Sequence, residues 1–146
     1  MSVTHIPAEL RRLMVARAEG LCEYCLIAVE DTFLGTAADH IISEKHGGPT
    51  AEENLAQACA ACNNAKGSDV GSIDWATRQF HRFFNPRTDR WADHFRLGDG
   101  IIEGVSPIGS VTARLLRFND AARVLERRAL GAAGRYPNAA ALRRMA

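Results

Sequence analysis

Four cysteines fall in two identical pairs, Cys22-x2-Cys25 and Cys59-x2-Cys62, with 33 residues between the pairs. Two intervening residues let both sulfurs of a pair turn toward one point. Two such knuckles build a tetrahedron of soft donors, the arrangement Zn2+ takes. Four thiolates close the shell and leave no position for a reacting water, so the expected ion is structural. The spacer and the second knuckle carry other reactive side chains. Asp39 and His40 are adjacent, Asn54 lies 14 positions after His40 and Asn63 lies 23 after it. A histidine can take a proton from water near neutral pH. A carboxylate or an amide oxygen suits a hard cation such as Mg2+ or Mn2+. Lys66 follows Asn63 by about one helical turn and so shares its face.

Taken in order, Asp39-His40, Gly47-Gly48, Asn54-Leu55 and Cys59-x2-Cys62-Asn63-x2-Lys66 resemble the HNH endonuclease family over roughly residues 20–67. The resemblance implies an α+β chain whose ββα-metal core is braced by zinc on the four cysteines. It implies metal-dependent hydrolysis of phosphodiester bonds in DNA. His40 would be the general base for a water. Asp39 and Asn63 would hold one Mg2+ or Mn2+, and Asn54 would order the loop that aims His40 at the phosphate. Lys66 is the candidate to neutralise that phosphate, the alternative being a solvated lysine. His46, in the facing loop, is a further candidate phosphate contact. Many members carry His where this chain has Asn63, so the resemblance is to an H-N-N variant, similar to the nuclease domain of the large RNA-guided CRISPR enzymes. Asn64 adjoins Asn63 and is the alternative ligand. A zinc-braced nucleic-acid-binding module without turnover is the alternative function, and a purely structural zinc domain ranks last.

Several elements must position these residues. "IPAELRRLMVARAEG" predicts a helix with Pro7 in its first turn, Leu10, Leu13 and Met14 on one side, and Gly20 as its stop. "TAADHII" predicts a strand ending in a Gly-Gly-Pro loop, and "TAEENLAQA" a loop running into a short helix. "CAACNNAKG" predicts a thiol turn and a short helix closed by Gly67. Farther on, "WADHFRLGDGIIEGV" predicts a hairpin in which Trp91, Phe95 and Leu97 alternate and Gly-Asp-Gly turns. Three helices follow, one capped by Ser110, one by Asn119 or Asp120, and a last one over "PNAAALRRMA". The expected organisation is a single domain over 1–146: a zinc-braced core to residue 70, an Arg/aromatic hairpin segment over 71–106, and a helical extension over 107–146. The helices from residue 110 onward are expected to pack over the core or to form a homodimer surface.

The net charge of +1 hides an asymmetry: residues 1–74 sum to −6 and residues 75–146 to +7, and sixteen of the eighteen basic residues are Arg. Arg82, Arg87, Arg90 and Arg96 interleave with aromatics, a combination that can hold a nucleic-acid backbone and stack bases. The alternative is that the basic half packs on the acidic half. His94, in a second Asp-His pair without cysteines or asparagines around it, is expected to be structural. No apolar run approaches the ~20 residues of a membrane span. The N-terminus carries charges where a leader would be apolar, so the expected location is cytoplasmic, where CxxC pairs bind metal before they form disulfides.

Overall fold

A computed structural model describes residues 4–146, so the first three residues of that N-terminal segment lie outside the described residues. Helix α1 runs over Ala8–Ala18, buries Met14 and Ala18, and ends where Glu19 and then Gly20 take left-handed backbone. A tight turn carries the first cysteine pair: Cys22 N–H donates to Ile27 O and Leu26 N–H to Cys22 O. Strands β1 (Thr36–His40) and β2 (Leu55–Cys59) pair antiparallel, with Thr36 opposite Cys59 and His40 opposite Leu55. Helix α2 (Ala60–Lys66) leaves β2 without a loop, its first turn tied down by Cys62 N–H donating to Cys59 Sγ at 3.4 Å. The expected ββα unit is present.

Residues 50–58 do not run from a loop into a helix as expected: after the 3-10 turn of Glu52–Asn54 the chain extends. Leu55–Cys59 is a strand and not the start of a helix. All five of its residues are buried, with α1 against it, so the alternation that marks a half-exposed strand is missing. Alanine and glutamine then read as helix formers until the pairing with β1 overrides them.

A second hairpin, β3 (Gly71–Asp74) with β4 (Gln79–Arg82), was not legible in the sequence. The third was legible in part. Trp91–His94 forms one helical turn, α3, and the strand starts only at Phe95. Strands β5 (Phe95–Gly98) and β6 (Ile101–Gly104) join through Asp99 and Gly100, both in left-handed backbone, as a two-residue hairpin turn requires.

Helices α4 (Pro107–Leu115), α5 (Ala121–Ala132) and α6 (Ala139–Met145) complete the chain. The cap of α4 is Ser106 and not Ser110: Ser106 Oγ accepts from Gly109 N–H at 2.9 Å, and Pro107 fits the first position, where no N–H is needed. Asn119 does not cap α5; its amide instead pairs with both backbone groups of Ile102. Val111, Leu116, Phe118 and Ala141 share one core with Leu21, Tyr24 and the four cysteines, so the C-terminal helices pack over the centre. His94 is structural: its ring lies edge-on to Phe84, and Nδ1 sits 2.7 Å from Ser106 Oγ. Among the described residues no helix is long and apolar enough to cross a membrane.

Candidate active site and metal centre

The β-turn before β1 and the start of α2 bring the two knuckles together. Cys22, Cys25, Cys59 and Cys62 are buried, and their sulfurs all lie within 4.8 Å of one another. Cys25 Sγ and Cys59 Sγ are 3.8 Å apart. That is far beyond a disulfide bond of ~2.05 Å. It matches the ~3.8 Å edge of a tetrahedron whose Zn–S bonds are ~2.3 Å. The donor set therefore fits zinc. Burial pushes the Cys22 and Cys62 thiols up, whereas hydrogen bonding from Cys22, Cys59 and Cys62 holds the Cys25 thiol well below its ordinary value.

The first knuckle also reaches the other candidate residues. Between its cysteines stand Glu23 and Tyr24, both buried. Tyr24 O–H donates to Asp39 Oδ2 at 2.6 Å, and Trp91 Nε1–H donates to Tyr24 O at 2.9 Å. Glu23 Oε2 accepts from Gln57 N–H at 3.0 Å, which ties the knuckle to β2. Neither residue was singled out by sequence. Their position between two cysteines was the available signal, since a closed knuckle must bury what it encloses.

Asp39 and His40 end β1. Lys66 Nζ donates to Asp39 Oδ1 at 3.2 Å and to His40 O at 3.0 Å, and its side chain is 1 % exposed. Lys66 is thus neither a solvated lysine nor free to meet a phosphate. Its stem points inward from α2, where it holds the end of β1 against the helix. Burial pushes the Asp39 carboxyl above its ordinary value, and Lys66 and Tyr24 pull it back only in part. A carboxylate offers about four acceptor sites, so two donors leave capacity for a cation.

His40 Nε2 lies 2.8 Å from Thr50 Oγ1, and Thr50 Oγ1 lies 3.5 Å from Glu44 Oε1. The carboxylate can only accept, so the threonine hydroxyl donates to it and accepts from Nε2–H. That assigns the proton to Nε2 and leaves the lone pair on Nδ1, which has no hydrogen-bond partner among the described residues.

Asn54 explains the loop. Its Oδ1 accepts from Ile42 N–H, and its Nδ2 donates to Ile42 O and Pro49 O, each at 2.9 Å. One buried side chain thereby pins both ends of the 42–49 turn. Gly48 is the residue this close approach requires: a Cβ there would stand 1.7 Å from Ile42 O. Asn54→Ala removes all three bonds and leaves the partly buried backbone groups of Ile42 and Pro49 without their partner. The expected loss, read by urea denaturation of zinc-loaded protein, is on the order of 2–4 kcal/mol. A loss under ~0.5 kcal/mol would mean that water replaces the amide at no cost.

Asp39, His40, Ser43, Glu44, Lys45 and Asn63 line one cleft of about 420 Å³, with Arg11 of α1 on its wall. Asn64 is exposed and is not among the lining residues, which favours Asn63 of the two amides. His46 is exposed beside the cleft, where Lys45 takes the lining position. The arginines expected to contact nucleic acid are placed otherwise. Arg82 forks onto Asp89, at 2.7 and 3.0 Å, and Arg87 pairs with buried Glu23. Arg90 lines a different cleft beside Arg143 and Arg144. Arg96 is exposed on β5 opposite Glu103. Part of the basic half therefore packs on the acidic half: Arg87 and Arg144 meet Glu23, and Arg143 meets Glu19.

Comparison with family models matches residues 22–69 to HNH endonuclease. The match begins on the first knuckle cysteine, ends just past α2, and covers about a third of the chain. That segment is similar to HNH endonucleases, which supports a nuclease-type function in general. Comparison with curated proteins and with solved structures finds no match for the chain.

Proposed function

We propose that the chain is a metal-dependent endonuclease that hydrolyses phosphodiester bonds of DNA. The observation that carries the reading is that His40, Asp39 and Asn63 line one cleft together with two cations, Arg11 and Lys45. Arg11 and Lys45 bind and orient the phosphate backbone, a task sequence reasoning gave to the second-half arginines. His40 takes a proton from the attacking water at Nδ1, while Thr50 and Glu44 keep the other proton on Nε2. Asp39 and Asn63 supply a carboxylate and an amide oxygen, hard donors that would hold Mg2+ or Mn2+. When bound, such an ion supplies Lewis-acid charge neutralisation at the phosphate and leaving oxygen. Lys66 and Tyr24 act by fixing Asp39 and do not touch the substrate in this reading.

The buried Asp39–Lys66 pair favours a second reading, a module that binds nucleic acid without cutting it. One experiment separates the two. Zinc-loaded protein is incubated with supercoiled plasmid, with Mg2+ or Mn2+ added or withheld. Nicking or linearisation only with the added ion is the expected result. Salt-dependent binding without any cleavage would transfer the chain to the binding class.

A further inference from the structure

Arg123 lies 61 residues beyond the last cysteine, on α5 and outside the matched segment, yet it reaches the metal centre. Its Nη2 stands 3.0 Å from Cys62 Sγ and 4.0 Å from Cys59 Sγ. Its Nη1 donates to Leu116 O at 2.7 Å and to Arg117 O at 3.1 Å, the turn that ends α4. The guanidinium also rests 5.7 Å from the centre of the Phe118 ring. Arg127, one helical turn on, spends its donors on Gly100 O, Phe118 O and the Asn119 amide, and none on sulfur. Arg123 is thus the cation of α5 that faces the thiolates, and its planar fork is fixed on both sides.

We propose that Arg123 is an outer partner of the four-thiolate zinc centre, making zinc occupancy and the docking of the 116–132 segment one coupled equilibrium. The inference rests on the four cysteines holding zinc. Zinc with four thiolates carries a formal charge of −2 inside the core, where net charge is costly. A guanidinium at Cys62 Sγ offsets part of that charge and donates a hydrogen bond to a bound thiolate. Outer-shell partners of this kind tune affinity as well as orientation. Coupling is reciprocal: whatever factor Arg123 adds to zinc affinity, zinc adds to the docking of the helix that carries Arg123. The extension beyond residue 107 then becomes part of the metal site.

The test uses the full chain, loaded stoichiometrically with zinc, and a chelator competition for the ion. Wild-type protein that takes up no zinc would fail the premise and be recognised at this first step. Arg123→Gln is expected to weaken zinc binding by about 10- to 100-fold. Arg123→Lys keeps the charge and loses the fork, so its affinity should fall between the two. In cobalt-substituted protein, either variant should shift the sulfur-to-metal charge-transfer band, because the hydrogen bond on Cys62 is altered. Should Arg123→Gln not fold, Arg123→Lys and its cobalt band carry the test. Arg127→Gln is the comparison: it loosens the same helix but keeps the Arg123 hydrogen bond to sulfur, so it should weaken zinc binding less than Arg123→Gln and leave the cobalt band in place. Unchanged zinc affinity and an unchanged cobalt band in the Arg123 variants, or an equal weakening in Arg127→Gln, would overturn the proposal.

Discussion

His40→Ala should leave a folded, zinc-loaded protein that cuts DNA about 100- to 10,000-fold more slowly, the range a positioned general base contributes. Two features of the site set these expectations apart from a general loss of stability. First, the ring's one close hydrogen bond is to Thr50, so losing that bond costs the fold about 1 kcal/mol, to which the cavity left by the buried ring adds. The backbone of residue 40 keeps its pairing with Leu55 and its carbonyl keeps Lys66. Second, Nδ1 is buried with no hydrogen-bond partner among the described residues, on a residue that lines the cleft. Deleting the ring takes away the lone pair that would receive the water's proton, while Arg11, Lys45, Asp39 and Asn63 stay in place. Plasmid cleavage, thermal unfolding and zinc content measured on the same preparations check this. Added imidazole should restore part of the rate, because the ring leaves a cavity of its own shape. A His40→Ala protein that cuts as fast as wild type would assign the base elsewhere.

The chemistry was easier to read in the sequence than the scaffold beneath it. Four cysteines at CxxC spacing state their geometry locally, because two residues between thiols fix how the sulfurs converge. Asp39, His40 and Asn54 were picked out through the family resemblance and not by their own spacing, and they stand at the ends of elements, Asp39 and His40 closing β1 and Asn54 just before β2. Strand β2 was not readable, because it is buried throughout and its alternation is erased. Lys66 was misplaced for a reason no spacing reveals. Helical periodicity puts it on the face of Asn63, but only the packing of α2 against β1 shows that this face turns from cleft to core between the two residues. The arginines failed in the same way. Sequence shows that Arg82 and Arg87 exist; the partners that engage them, Asp89 and Glu23, depend on tertiary contacts. Arg11 and Lys45 carried no local signal beyond their charge.

Removing the zinc, by a strong chelator or by Cys59→Ser, should abolish the cooperative thermal transition of the whole chain and not of residues 22–69 alone. Structural zinc in small peptides contributes about 10–16 kcal/mol at neutral pH. A domain's net stability is only about 5–15 kcal/mol. The main core goes with the metal, because the cysteines pack in the same cluster as Trp91, Phe95, Val111 and Phe118; the separate cluster of Ile6, Met14 and Leu55 is too small to hold the chain. Losing the first knuckle also frees Tyr24 from Asp39 and Glu23 from Arg87 and Arg144, so the C-terminal helices lose ion pairs as well as packing. Metal analysis should give one zinc per chain, and circular dichroism of the chelated protein should show no sigmoidal melt. A chelated protein that still melts cooperatively near the holo temperature would reduce the cluster to four buried thiols. The same physics governs how a nuclease assay must be run. A chelator that stops cleavage removes the scaffold together with any catalytic ion, so only omission and re-addition of Mg2+ or Mn2+ to zinc-loaded protein reports on Asp39 and Asn63.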